Sequence, residues 1–196
     1  MFTPAVFIDR DGTLNEEVGY VNHITRFHLY PWSAAAIRLL KLAGFKTFVI
    51  TNQAGVARGY FKEELIGQVH ERMRAELASQ GAELDGVYYC PHHPTAGEPP
   101  YRQICECRKP KPGLIQQAAL QHGLDFERSF MIGDRYSDVV LAHNAKVRSI
   151  FVLSGYGMGE YEYQRQNWAI QPGWIARDLL EAARWILEES GRGVTS

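Results

Sequence analysis

The chain of 196 residues has only three cysteines, all between positions 90 and 107, and so few so close together suit a metal site in a reducing compartment better than a disulfide framework. It lacks any apolar run near the ~20 residues that a membrane-crossing helix needs. Its first residues also lack the basic, apolar and small-residue order of a secretory leader. A cytoplasmic protein with no membrane partner is the expectation. Charge of neither sign dominates: 21 basic residues face 22 acidic ones for a net charge of -1, and no Lys/Arg block argues for nucleic acid. Internal repeats and low-complexity tracts are missing too. What is present is 45% hydrophobic residues, enough for one good core. A single domain over 1–190 is therefore expected, with 191–196 as a disordered tail and the whole as a monomer.

Short β-rich runs at 5–8, 46–50, 86–89, 129–132 and 148–153 alternate with amphipathic stretches at 33–43, 62–79, 112–122, 136–144 and 174–188. Ser33 reads as an N-cap, Ile37, Leu39, Leu40 and Leu42 as an apolar side, and Gly44 as a left-handed stop. Nearly continuous apolar strands between helices imply an α/β fold: a Rossmann-like, doubly wound parallel sheet with helices on both faces. Ligands of such sheets gather at the carboxyl ends of the strands.

Polar clusters stand at those ends. Asp9-Arg10-Asp11-Gly12-Thr13 follows the first strand, Thr51-Asn52-Gln53 the second, and Gly133-Asp134 the strand at 129–132. Arg108-Lys109-Pro110-Lys111-Pro112-Gly113 opens the helix before that strand. Gly12 lets the backbone turn at once, so Asp9 and Asp11 can serve one centre in different ways, one attacking and one handling protons. Carboxylates, a hydroxyl, an amide and cations on one rim suit Mg²⁺ and a transferring phosphoryl group.

Over positions 5–153 this ordered set resembles the haloacid dehalogenase superfamily of phosphohydrolases. The resemblance implies that Asp9 attacks phosphorus to form an aspartyl phosphate and that Asp11 is general acid, then base. By the same likeness Thr51 and Lys109 would hold the phosphoryl oxygens, while Asp9, Asp134 and the Asp11 carbonyl would hold Mg²⁺. Asp138 would orient Lys109 or a metal-bound water. No large cap domain is expected, because the 31 residues between Arg58 and Cys90 leave no room for one.

Every cysteine lies in a second constellation, Cys90-Pro91-His92-His93-Pro94 followed by Cys105-Glu106-Cys107. Cys90, His92, Cys105 and Cys107, with His93 as the alternative to His92, make a closed tetrahedral zinc set. Thiolates reject Mg²⁺ and four protein ligands leave no open position, so this loop at 90–107 would be structural. It ends beside Arg108 and Lys109, the phosphate-binding cations.

A zinc loop of this kind, with Gly19-Tyr20-Val21, the run 51–59 and Tyr88 to Pro94, is similar to the superfamily branch of heptose-bisphosphate and histidinol-phosphate phosphatases. The heptose side is the nearer, which implies removal of the 7-phosphate of a heptose bisphosphate, a small sugar phosphate, with histidinol phosphate as the alternative substrate. Asn52, Gln53, Arg58, Arg108 and Lys109 would then touch the substrate. The Tyr/Gly-rich stretch 155–165 reads as a loop near the cleft, and Trp168, Trp174 and Trp185 as core aromatics.

Overall fold

The computed structural model describes residues 2–191. In chain order its strands are β1 (Thr3–Ile8), β2 (Lys46–Asn52), β3 (Gly86–Cys90), β4 (Leu124–Gly133), β5 (Arg148–Val152) and β6 (Trp174–Ala176). Its helices are α1 (Ser33–Leu42), α2 (Glu64–Ser79), α3 (Gly113–His122), α4 (Tyr136–Ala145), α5 (Gly157–Gln164) and α6 (Leu179–Glu189). The six strands form one sheet in the order β3-β2-β1-β4-β5-β6, every pair parallel. Positions 192–196 of the expected tail lie outside the described residues.

Strand period decides which core each residue fills. Val6 and Ile8 pack under α1, α2 and α6, whereas Ala5 and Phe7 pack on the other face under α3 and α4. A strand buried on both faces must be apolar throughout, which is why these runs do not alternate. Each fully buried Phe or Ile here contributes about 2–3 kcal/mol.

The chain runs outward from β1 to β3, then crosses to β4, so the crevice lies beyond the carboxyl ends of β1 and its neighbours. Ile8 stands opposite both Val49 and Ile132, which brings the residues after β1, β2 and β4 to one level.

Several expectations are corrected. The stretch 174–188 is not one helix: Trp174–Ala176 pairs with β5 as an edge strand, and α6 starts after Asp178, whose side chain accepts from Glu181 N (2.9 Å) as the true N-cap. The loop expected at 155–165 holds α5. Ser33 is not a cap; it lies within α1 and its Oγ donates to Leu14 O (2.6 Å), tying the loop after Asp11 to the helix. Leu42 faces water. Trp174 is half exposed and stacks on Trp185 (5.2 Å), so only Trp168 of the three tryptophans is buried.

Candidate active site

Asp9, the first residue past β1, is buried, and its Oδ1 accepts from Arg10 N (2.7 Å) and from Lys109 Nζ (2.7 Å). Lys109 Nζ also meets Asp138 Oδ1 at 2.8 Å. Asn52 grips the Lys109 backbone from both sides, accepting from its N–H (3.0 Å) and donating to its carbonyl (3.2 Å). Asn52 therefore places the lysine loop, although it also lines the cleft.

Asp9, Asp134 and Asp138 offer carboxylate oxygens within 4.8 Å of one another. Gly133 and Gly12 make that possible, since a Cβ on Gly133 would sit 2.4 Å from Asp138 Cγ and one on Gly12 2.2 Å from Asp134 Oδ2. Tyr156 N donates to Asp134 Oδ2 (2.8 Å). Burial, against the pull of Lys109, pushes the Asp9 carboxyl up to about 7. Burial first, then Asp9 and Asp138, raises Asp134 well above the carboxylate range. Burial alone would lower the Lys109 ammonium, but Asp138 and Asp9 more than reverse that. Three carboxylates around one ammonium carry a net charge of -2 when ionised, and hard oxygen donors suit a small divalent cation. The residues fit Mg²⁺.

Asp11 lies outside that trio. Arg10 forks onto it through Nη2–Oδ2 (2.8 Å) and Nε–Oδ1 (3.2 Å), while Asn15 Nδ2 (3.0 Å) and Gln53 Nε2 (2.8 Å) add further bonds. Burial would raise this carboxyl, yet Arg10, Asn15 and Gln53 together hold it below its ordinary range. Gln53 Nε2 also donates to Thr51 Oγ1 (2.9 Å), which leaves the buried threonine's hydroxyl proton for an incoming oxygen. The cleft above holds about 430 Å³ and is lined by Asp9, Asp11, Thr51, Gln53, Arg108 and Lys109, among others.

At the end of β3, Cys90, His92, Cys105 and Cys107 converge, with Sγ–Sγ distances of 3.1, 3.3 and 3.6 Å and His92 Nδ1 3.3 Å from Cys107 Sγ. These four could hold a metal. His93 stands apart, its Nε2 against Arg58 Nη2 at 3.0 Å, so His92 is the histidine that joins the cluster. Arg108 Nη1 donates to His92 O (3.0 Å), and Gly113 opens α3 where a Cβ would lie 2.4 Å from Glu106 O. The loop thus abuts both the cleft arginine and the helix behind it.

Of the residues expected to touch substrate, Arg58 is exposed, paired with His93 and absent from the cleft lining. Glu17, Arg135 and Tyr156 line the cleft instead. Arg135 is held by Glu160 (2.8 Å) and lies under the Tyr156 ring (4.2 Å). Its place directly after Asp134 was the available signal, and Tyr156 lies in the Tyr/Gly-rich stretch expected near the cleft.

These features place the chain in the class of HAD-like hydrolases, whose HAD-hydrolase-like family model matches residues 106–182, from the Cys/His loop through Asp134 into α6. The *D*-glycero-β-*D*-manno-heptose-1,7-bisphosphate 7-phosphatase of Pasteurella multocida is 42% identical over 168 residues, 85% of this chain and 91% of that one. That of Escherichia coli K12 is 44% identical over 168 residues, 85% and 88%. Among solved structures, the *D*,*D*-heptose 1,7-bisphosphate phosphatase of B. bronchiseptica, complexed with magnesium and phosphate, superimposes with a TM-score of 0.82 at 29% identity, covering 95% of this chain and 99% of that one. The chain belongs to the *D*-glycero-*D*-manno-heptose-1,7-bisphosphate 7-phosphatase family of phosphohydrolases.

Proposed function

We propose that this protein removes the 7-phosphate of *D*-glycero-*D*-manno-heptose 1,7-bisphosphate by way of an aspartyl phosphate on Asp9. Oδ1 of Asp9 is taken by Lys109 and Arg10 N, so Oδ2 attacks phosphorus while the bond to the sugar oxygen breaks. Asp11 delivers its proton to that oxygen. The approaching dianion and the developing alkoxide counter Arg10 and raise the proton affinity of Asp11, as like charges do. In the second step Asp11 takes a proton from the water that attacks phosphorus, and phosphate leaves with Asp9 regenerated. Thr51 and Lys109 hold the phosphoryl oxygens throughout. Asp9, Asp134 and the Asp11 carbonyl would hold Mg²⁺, whose charge would let a dianion meet a carboxylate.

Cys90, His92, Cys105 and Cys107 would hold zinc, which would fix the loop that carries Arg108. The protein works as a single-domain monomer in the cytoplasm. The observation that carries the substrate is the cleft lining, where Arg108 and Arg135 join Lys109. Guanidinium forks grip a second phosphate, whereas the cationic amine of histidinol phosphate would be repelled. The test compares kcat/KM for the heptose bisphosphate and histidinol phosphate with Mg²⁺. A preference of about 100-fold or more for the bisphosphate, roughly 2.7 kcal/mol, is expected; the reverse preference refutes the substrate and leaves the mechanism standing.

A further inference from the structure

Arg10 is almost wholly buried, which is rare for a residue that carries a charge at every working pH. Its burial is tolerable only if its donors are met. Nε and Nη2 are met by Asp11, and Nη1 meets Nε2 of His70, a buried residue of α2, at 3.2 Å. An arginine can only donate, so His70 Nε2 must accept and the ring proton must sit on Nδ1. Burial, with the guanidinium beside it, drives His70 down to about 3, which keeps that lone pair available.

The ring is itself fixed. Tyr89 of β3 meets it edge-on at 5.6 Å, and the Tyr89 hydroxyl donates to Glu63 Oε1 (2.8 Å), just before α2. Tyr101 of the metal loop donates to Glu63 Oε2 (2.6 Å). A rigid acceptor thus stands behind the arginine while Asp11 stands before it.

We propose that His70 is a positioning residue for catalysis: by accepting from Arg10 Nη1 it fixes the guanidinium fork that aims the Asp11 carboxylate at the cleft. The inference rests on the acid-base reading of Asp11. Without the acceptor, the buried guanidinium turns to find another partner and carries Asp11 with it, while Lys109, Thr51 and the aspartate trio stay in place. Chemistry suffers and binding does not.

The test measures Mg²⁺-dependent turnover of the heptose bisphosphate by His70→Met, His70→Gln and Asp11→Asn. For His70→Met, kcat should fall about tenfold with KM within about twofold of wild type; a glutamine Oε1 can accept, so His70→Gln should keep kcat within about twofold. Wild-type kcat in His70→Met beside an inactive Asp11→Asn overturns the role of His70 alone. Full turnover in Asp11→Asn overturns the acid-base reading, and this inference with it. Should His70→Met fail to fold, long-range ¹⁵N–¹H correlations on the wild-type protein decide: a proton on Nδ1 of His70 is expected, and a proton on Nε2 overturns the proposal.

Discussion

Replacing Lys109 by methionine keeps most of the side-chain volume and removes the one ammonium that Asp9 and Asp138 share at 2.7 and 2.8 Å. Taking one partner from a buried ion pair costs about 3–5 kcal/mol. For a chain of this size that corresponds to a loss of about 6–20 °C in thermal midpoint, at about 2–4 °C per kcal/mol. The loss should depend on pH in a definite direction. Asp9 is already raised to about 7, and Asp134 lies well above its ordinary value. Removing the cation raises both further. A carboxyl whose folded value exceeds its unfolded one takes up a proton on folding, so its penalty is absent below about pH 4 and grows as pH rises toward the folded value. The deficit of Lys109→Met should therefore be larger at pH 8 than at pH 5 in chelator, and excess Mg²⁺ should recover part of it. Differential scanning calorimetry at both pH values, with and without Mg²⁺, makes the measurement. A midpoint within about 2 °C of wild type at pH 8 in chelator, or equal deficits at the two pH values, would show that Lys109 does not offset the buried carboxylates.

Gly12→Ala would put a Cβ 2.2 Å from Asp134 Oδ2 at a residue with φ +81°; calorimetric Mg²⁺ titration should show binding weakened at least about tenfold, and unchanged affinity would contradict the packing. Cys107→Ser should lose bound zinc and thermal stability together, whereas wild type purified without chelator should carry about one zinc per chain by elemental analysis. Asp85, whose carboxylate takes Lys41 Nζ (2.7 Å) and Thr47 N (2.8 Å), gives a contrasting pH signature. Burial would raise it, but the Lys41 hydrogen bond and the Thr47 N–H hold it below its ordinary value. Its contribution is thus full above about pH 4 and is lost as pH falls through the folded value. Asp85→Asn should cost about 2 kcal/mol at pH 7 by urea unfolding, a gap that closes in acid.

The parallel sheet was legible because strands covered on both faces must be apolar from end to end, and because Asp9, Thr51 and Asp134 each follow such a run. The Cys/His cluster was legible because all three thiols lie within one window. Less visible was whatever tertiary packing decides. The glycines of 155–165 suggest a loop, yet Gly157 is there because a Cβ would strike Val152 O at 1.9 Å, and α5 is held by Glu160 on Tyr136 N. The apolar trio Trp174-Ile175-Ala176 suits a helix or an edge strand equally; Asp178 with Glu181 three residues on was the capping signal that separates them. Arg58 sits in the right stretch of sequence but turns to His93, and no spacing rule could show that. The Arg10–His70 contact joins positions sixty residues apart and left no local trace.

In the proposed mechanism Asp9 becomes covalently phosphorylated while Asp11 moves protons. Its most direct test mixes the protein with ³²P-labelled heptose 1,7-bisphosphate and Mg²⁺, quenches in acid within one turnover, and maps the labelled peptide by mass spectrometry. A hydroxylamine-labile phosphate on Asp9 is expected, absent from Asp9→Asn, which should also be inactive. Phosphate release by the wild-type protein with no label on Asp9, or turnover by Asp9→Asn, would contradict it.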